Sequence, residues 1–203
     1  MSETCQTIAQ VMAELERLRD QADASFARVA REHPQAVACH PGCDDCCHAL
    51  FDLAPVESWA LARAFQGLPR QVRRRVGRRA QRAARDYDQV VSQALSHQGE
   101  DRLRLLSRAR VACPLLLDGR CALYAERPIT CRLYGIPVAI AGQGRTCGRA
   151  RFQPGQSYPT ADMDQVQARL EGLSRALVRL VPGLGLRRRD LARSLSLDLS
   201  PLA

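Results

Sequence analysis

Four cysteines fall within the nine residues CHPGCDDCC, Cys39 to Cys47, and this stretch limits what the chain can become. So dense a group of thiols has three physical uses: a disulfide knot, a metal or iron–sulfur site, or a thiol redox centre. The whole chain of 203 residues carries nine cysteines. Its start, MSETCQTIAQVMAELERLRD, has acids early and no continuous apolar run, so no signal peptide is expected. No stretch reaches the length of a membrane span, so no membrane contact is expected. The expected location is the cytoplasm, where thiols stay reduced and cysteine-rich patterns point to metal rather than disulfides.

Outside the thiols, the sequence reads as helices. From Thr4 to Glu32, Ile8, Val11, Met12, Leu15, Leu18, Ala22, Phe26 and Val29 recur every three or four positions, one face of an amphipathic helix ended by His33-Pro34. Pro55 suits the first turn of a second helix that stops near Gly67. Pro69 opens a third, with Val72, Val76, Ala80, Ala83, Tyr87, Val90 and Ala94 facing inward, and a shorter helix follows from Glu100 to Arg110. Another runs from Thr160 to Leu180 before Pro182-Gly183, and the tail GLRRRDLARSLSLDL, 185–199, can form one more short helix. The expectation is a single, mainly α-helical domain over 1–203, with a small cysteine-rich hairpin and loop region forming a metal core.

Eight cysteines lie beyond the first helix: Cys39, Cys43, Cys46, Cys47, Cys113, Cys121, Cys131 and Cys147. Cys43 and Cys46 have the Cys-x2-Cys spacing that chelates with little strain. Adjacent side chains in extended backbone diverge, so Cys46 and Cys47 are expected to face two sites, or one to ligate while the other packs. Cys5 reads as a small core residue of the first helix. CPLLLDGRCALY holds an Asp-Gly pair between apolar residues, a hairpin signal. A two-residue turn at Asp118-Gly119 sets Cys121 opposite Leu116, so Cys113 either precedes the ladder or points elsewhere. The segment beyond, to Cys147, is rich in Pro and Gly and promises little regular structure.

CHPGCDDCC followed by CPLLLDGRCALYAERPITCRLYG resembles the YkgJ-like zinc- or iron-chelating proteins, the CxxCxxCC cysteine-cluster family. The resemblance rests on Cys121, Tyr124, Arg127, Pro128, Cys131, Arg132 and Tyr134 together with the thiol knot, and covers Cys39 to about Cys147. In this chain three residues rather than two separate Cys39 from Cys43. The resemblance implies a bound metal, zinc or iron, in a core made by 39–47 and 113–147. An iron–sulfur flagellin lysine methylase is distantly similar, which keeps an enzyme that modifies a protein side chain as an alternative. No Gly-rich nucleotide fingerprint accompanies it.

Arg127, Arg132 and Tyr134 are the candidates for a role beside the thiols: offsetting thiolate charge, or orienting an anionic substrate. His40 and His48 flank the knot and read as loop histidines, and Asp44 and Asp45 as solvated loop acids. The net charge of +9, all its cations arginine, fits a GC-rich genome as well as an anionic partner. Eight arginines between Arg70 and Arg85 would cover one helix face. Without interleaved aromatics this face reads as solvated, and a nucleic-acid-interacting protein with structural zinc stays as a third, disfavoured reading. A protein partner is left open. The cofactor expected is iron or an iron–sulfur cluster, with zinc as the alternative; a Cys-Pro step at Cys113-Pro114 and nearby arginines tilt the reading toward the cluster.

Overall fold

A computed structural model describes residues 7–40 and 42–199. Cys5, expected in the first helix, lies outside them. Helix α1 (Ile8–Glu32) starts where a capping box allows it: the Thr7 hydroxyl accepts from the Gln10 N–H at 3.2 Å, and the Gln10 side chain accepts from the Thr7 N–H at 2.7 Å. The helix thus begins at Ile8, four residues after Thr4. The expected stripe is the buried one, with Val11, Leu15, Leu18, Ala22 and Val29 in the core.

The remaining helices are α2 (Pro55–Gln66), α3 (Arg70–Leu95), α4 (Gly99–Arg108), α5 (Ile129–Leu133), α6 (Met163–Leu180) and α7 (Leu191–Leu195). Helix α1 packs on α5 and α6, and α2 on α6 and α7, around a core that includes Trp59, Leu170 and Leu177. A second apolar cluster of Leu53, Leu61, Val76, Leu115, Leu123 and Leu195 lies under α3 and the hairpin. Val76 and Ala83 of α3 face inward, while the arginines of that helix are exposed apart from half-buried Arg73. Among the described residues no helix is long and apolar enough to cross a membrane.

Strands are short. β1 (Asp52–Leu53) pairs antiparallel with β7 (Arg189–Asp190), tying the tail to the segment just after the thiol loop. β2 (Leu116–Leu117) and β3 (Arg120–Cys121) form the expected hairpin, with Leu116 opposite Cys121 and positive φ at Asp118 and Gly119. Both turn residues are left-handed, as a two-residue turn that matches strand twist requires. β4 (Val138–Ile140) pairs antiparallel with β5 (Gln143–Arg145) and parallel with β6 (Ala161–Asp162). β4, β5 and helix α5 occupy the segment expected to hold little regular structure, and β6 takes positions expected to open the last long helix, which begins at Met163 instead. Two- and three-residue strands carry no periodicity to read, and only their distant partners make them visible.

Buried polar groups lock helices together. The Val56 N–H, left over at the start of α2, donates to the Ser174 hydroxyl of α6 at 3.2 Å, and the Ser58 and Ser194 hydroxyls pair at 2.9 Å. Glu57 is fully buried and accepts from the Ile129 N–H at 2.8 Å, holding the start of α5. Burial pushes its carboxyl up from 4.5, against the Ile129 hydrogen bond and the Arg19 charge. Between the unfolded and folded values the native state holds the extra proton, so this group lowers stability as pH rises. Glu57→Gln keeps the acceptor oxygen, and its stability relative to the native chain is expected to improve from about pH 5 to about pH 8. Urea unfolding at the two pH values checks this; a difference that does not change would refute it.

Candidate metal centre

The thiol loop hangs between α1 and β1. Cys43 is placed by a turn in which its N–H donates to the His40 carbonyl at 2.9 Å. Cys46 and Cys47 lie on one turn of 3-10 helix, Asp45–His48, rather than in the extended backbone assumed above. One residue of 3-10 helix rotates by about a third of a turn, so neighbouring side chains there are not opposed. Asp45, expected to be solvated, is buried. Its carboxylate accepts from the Tyr134 hydroxyl at 2.8 Å and the Arg110 guanidinium at 2.6 Å, with Arg149 at 3.5 Å. Burial raises its pKa, but the Tyr134 and Arg110 hydrogen bonds and the two arginine charges outweigh that and hold it below 3.8. One carboxylate thus joins the thiol loop to the segments before Cys113, after Cys131 and after Cys147.

A cavity of about 940 Å³ opens beside this turn, and seven cysteines line it: Cys39, Cys43, Cys46, Cys47, Cys113, Cys121 and Cys131. Cys147 is not in its wall but lies close enough to Cys39 to act on it electrostatically. The structure therefore brings both cysteine regions together. All eight described cysteines are free thiols. Among the described residues, however, no three His, Cys, Asp or Glu side chains are gathered closely enough to hold a metal ion as they stand. The thiols share a cavity rather than a single point.

Their protonation reflects this crowding. Burial, then the nearby Cys43 and Cys147, push Cys39 up to about 11. A hydrogen bond with Cys113, together with burial, takes Cys47 up to about 12. Cys46 is raised by its hydrogen bond to Cys47 and by burial, and Cys131 by burial. These are groups that hold one another neutral; a soft cation would relieve the crowding by replacing their protons. The donor set, all sulfur, suits zinc, iron or an iron–sulfur cluster and does not suit the hard cations magnesium or calcium. In donor chemistry, though not in their present spacing, the residues fit such a group.

The three candidates beside the thiols all line the cavity. Arg127 stacks over the Tyr124 ring at 3.7 Å, and its charge favours the thiolates of Cys46 and Cys121. Buried Arg132 hydrogen-bonds Asp23 of α1 and the carbonyls of Ala125 and Arg127, so its donors stitch α5 to α1. Tyr134 is raised to about 12 by burial and by its bond to Asp45, and its carbonyl accepts the Cys39 S–H at 3.7 Å. His48 Nδ1 sits 3.2 Å from the Asp44 carbonyl oxygen, and His40 lines the cavity. Sequence reasoning did not single out Arg110, Arg149 or Gly135. Only the last carried a readable signal, a glycine directly after CRLY where the chain must leave α5.

No curated protein and no solved structure matches the chain. Residues 38–148, more than half of the chain, match the family CxxCxxCC, described as "Putative zinc- or iron-chelating domain". The matched segment begins one residue before Cys39 and ends one after Cys147, so it contains every thiol of the cavity and the loop that Asp45 anchors. The chain belongs to the CxxCxxCC family.

Proposed function

We propose that this chain is a cytoplasmic metal-binding protein whose core, formed by 39–47 and 113–147 within one domain, holds iron as an iron–sulfur centre, with zinc as the competing occupant. The observation that carries the reading is the convergence of seven thiols, from segments far apart in sequence, on one cavity. Free thiols throughout the described chain favour a reducing compartment. A cluster bound here would supply electron transfer or an electrophilic iron; zinc would supply a closed structural or exchangeable site. The chain's own residues hold the donors: Asp45 fixes the loop, Arg132 fixes α5, and Arg127 offsets thiolate charge.

The test is metal and acid-labile sulfide content, with an absorption spectrum, on full-length protein purified without oxygen. Iron with sulfide and a broad visible band supports the cluster, and colourless protein carrying zinc supports the competing occupant. Cys43→Ser and Cys131→Ser are each expected to lower the bound metal. If both variants kept the full content, the shared thiol core would be the wrong reading.

A further inference from the structure

Helix α3 begins with a run of positive charge that the rest of the fold leaves almost untouched. Residues 70–85 hold eight arginines and no acid. Seven of the eight are exposed, and among the described residues only Arg75 makes an ion pair, with Asp118 at 2.9 Å. Arg70, Arg74, Arg78 and Arg82 stand four apart, on successive turns of one face, and Arg85 continues it. The first turns of the helix also border an open cavity of about 570 Å³, whose wall is Arg70, Gln71, Arg74, Arg75 and Arg78.

Folding alone does not account for this face. Like charges four apart on a helix repel. The first turn carries no acid and holds Arg70 and Arg73, cations at the positive end of the helix dipole. A face that served solubility alone would mix the two signs, as α1 does with Glu14 and Arg17 and α6 with Glu171 and Arg175. The charge thus opposes the helix that carries it, and an anion laid along the face relieves that opposition.

The shape of the face selects the anion. Arg70 and Arg85 are 15 positions apart, about 22 Å along the helix, which suits an extended polyanion rather than a single phosphate ion. No large apolar side chain of 70–85 is exposed, so the face lacks what a helix needs to enter a lipid surface. The same length spans about six phosphates on one strand of a duplex. Missing aromatics count against single strands, whose bases stack on rings, but not against a duplex, which turns its phosphates outward. We propose that the arginine face of α3 binds double-stranded nucleic acid through its phosphates, without reading sequence. This binding is independent of what the thiols hold.

The test is fluorescence anisotropy of labelled DNA and RNA duplexes of about 20 base pairs, titrated with the full-length chain between about 50 and about 200 mM salt. The native chain is expected to lose about 10²- to 10³-fold in affinity over that range, a slope of about −4 to −5 for five phosphate contacts. The combined variant Arg74→Gln, Arg78→Gln, Arg82→Gln, Arg85→Gln should bring the slope to about −1. Its urea midpoint should be no lower than the native one, because none of the four makes an ion pair among the described residues. A second combined variant, Arg28→Gln, Arg102→Gln, Arg108→Gln, Arg179→Gln, removes the same charge from exposed positions elsewhere and should keep most of the slope. Binding of only one duplex supports the proposal and identifies the nucleic acid. Equal weakening by the two variants overturns the assignment to α3. No binding of either duplex by the native chain, binding without salt dependence, or equal affinity for a poly-glutamate peptide overturns the proposal, and the native chain alone decides these three.

Discussion

Gly135→Ala is expected to lower both stability and metal content. Gly135 has φ of +101°, a region that alanine enters only with strain, and an added Cβ would fall on the Cys39 sulfur. The backbone strain alone costs about 1–3 kcal/mol. Cysteine has a single side-chain torsion, so its sulfur can leave only by changing rotamer, which breaks the approach to the Tyr134 carbonyl and turns a donor away from Cys43. The expected result is a lower urea midpoint for the metal-free chain and loss of the metal that Cys39 helps to hold. A second substitution, Cys39→Ala, removes the collision but not the strain. In the metal-free chain the double variant should therefore lose less than the sum of the two single losses. Strict additivity would show that the sulfur is not what the new methyl meets.

Asp45→Ala should have an effect of similar size by a different route. It removes the common partner of Tyr134, Arg110 and Arg149, which come from three separate stretches of chain. Both arginines are about half exposed, so water replaces much of what they lose. The buried carboxylate's bonds to the Tyr134 hydroxyl and the closer arginine dominate, for a loss of roughly 2–3 kcal/mol. Metal content should fall as well, because the loop carrying Cys43, Cys46 and Cys47 loses its anchor. Tyr134→Phe removes one of the three contacts and should cost less than half as much. If the two variants unfolded at the same denaturant concentration, the carboxylate would not be the anchor described.

The long helices were legible because each has enough turns to repeat its pattern and a physical stop at its end. The inward stripe of α1, Pro55 at the start of α2 and the Pro182-Gly183 stop after α6 all stand as the sequence implied. So does the pairing of Leu116 with Cys121, because turn length alone fixes the register of a two-residue hairpin. The buried charges were not legible. Arg19, Asp45 and Glu57 look like surface residues in sequence, and only partners at Glu126, Arg110 and Ile129 make their burial tolerable. The thiols were legible as a set, but their neighbours were not. Which cysteine lies beside which depends on backbone hydrogen bonds such as Arg151 to Ala36, between residues with no recognisable pattern.

The thiol loop has a consequence for how the protein is made. Its anchor at Asp45 waits for Arg110, 65 positions on, and Tyr134, 89 positions on. The last thiol, Cys147, follows Cys47 by about 100 residues, which is roughly 5–20 s of synthesis. For that interval the ribosome displays a loop of four thiols whose neighbours do not yet exist. The growing chain, rather than the finished protein, is the species most open to oxidation and to capturing the wrong ion.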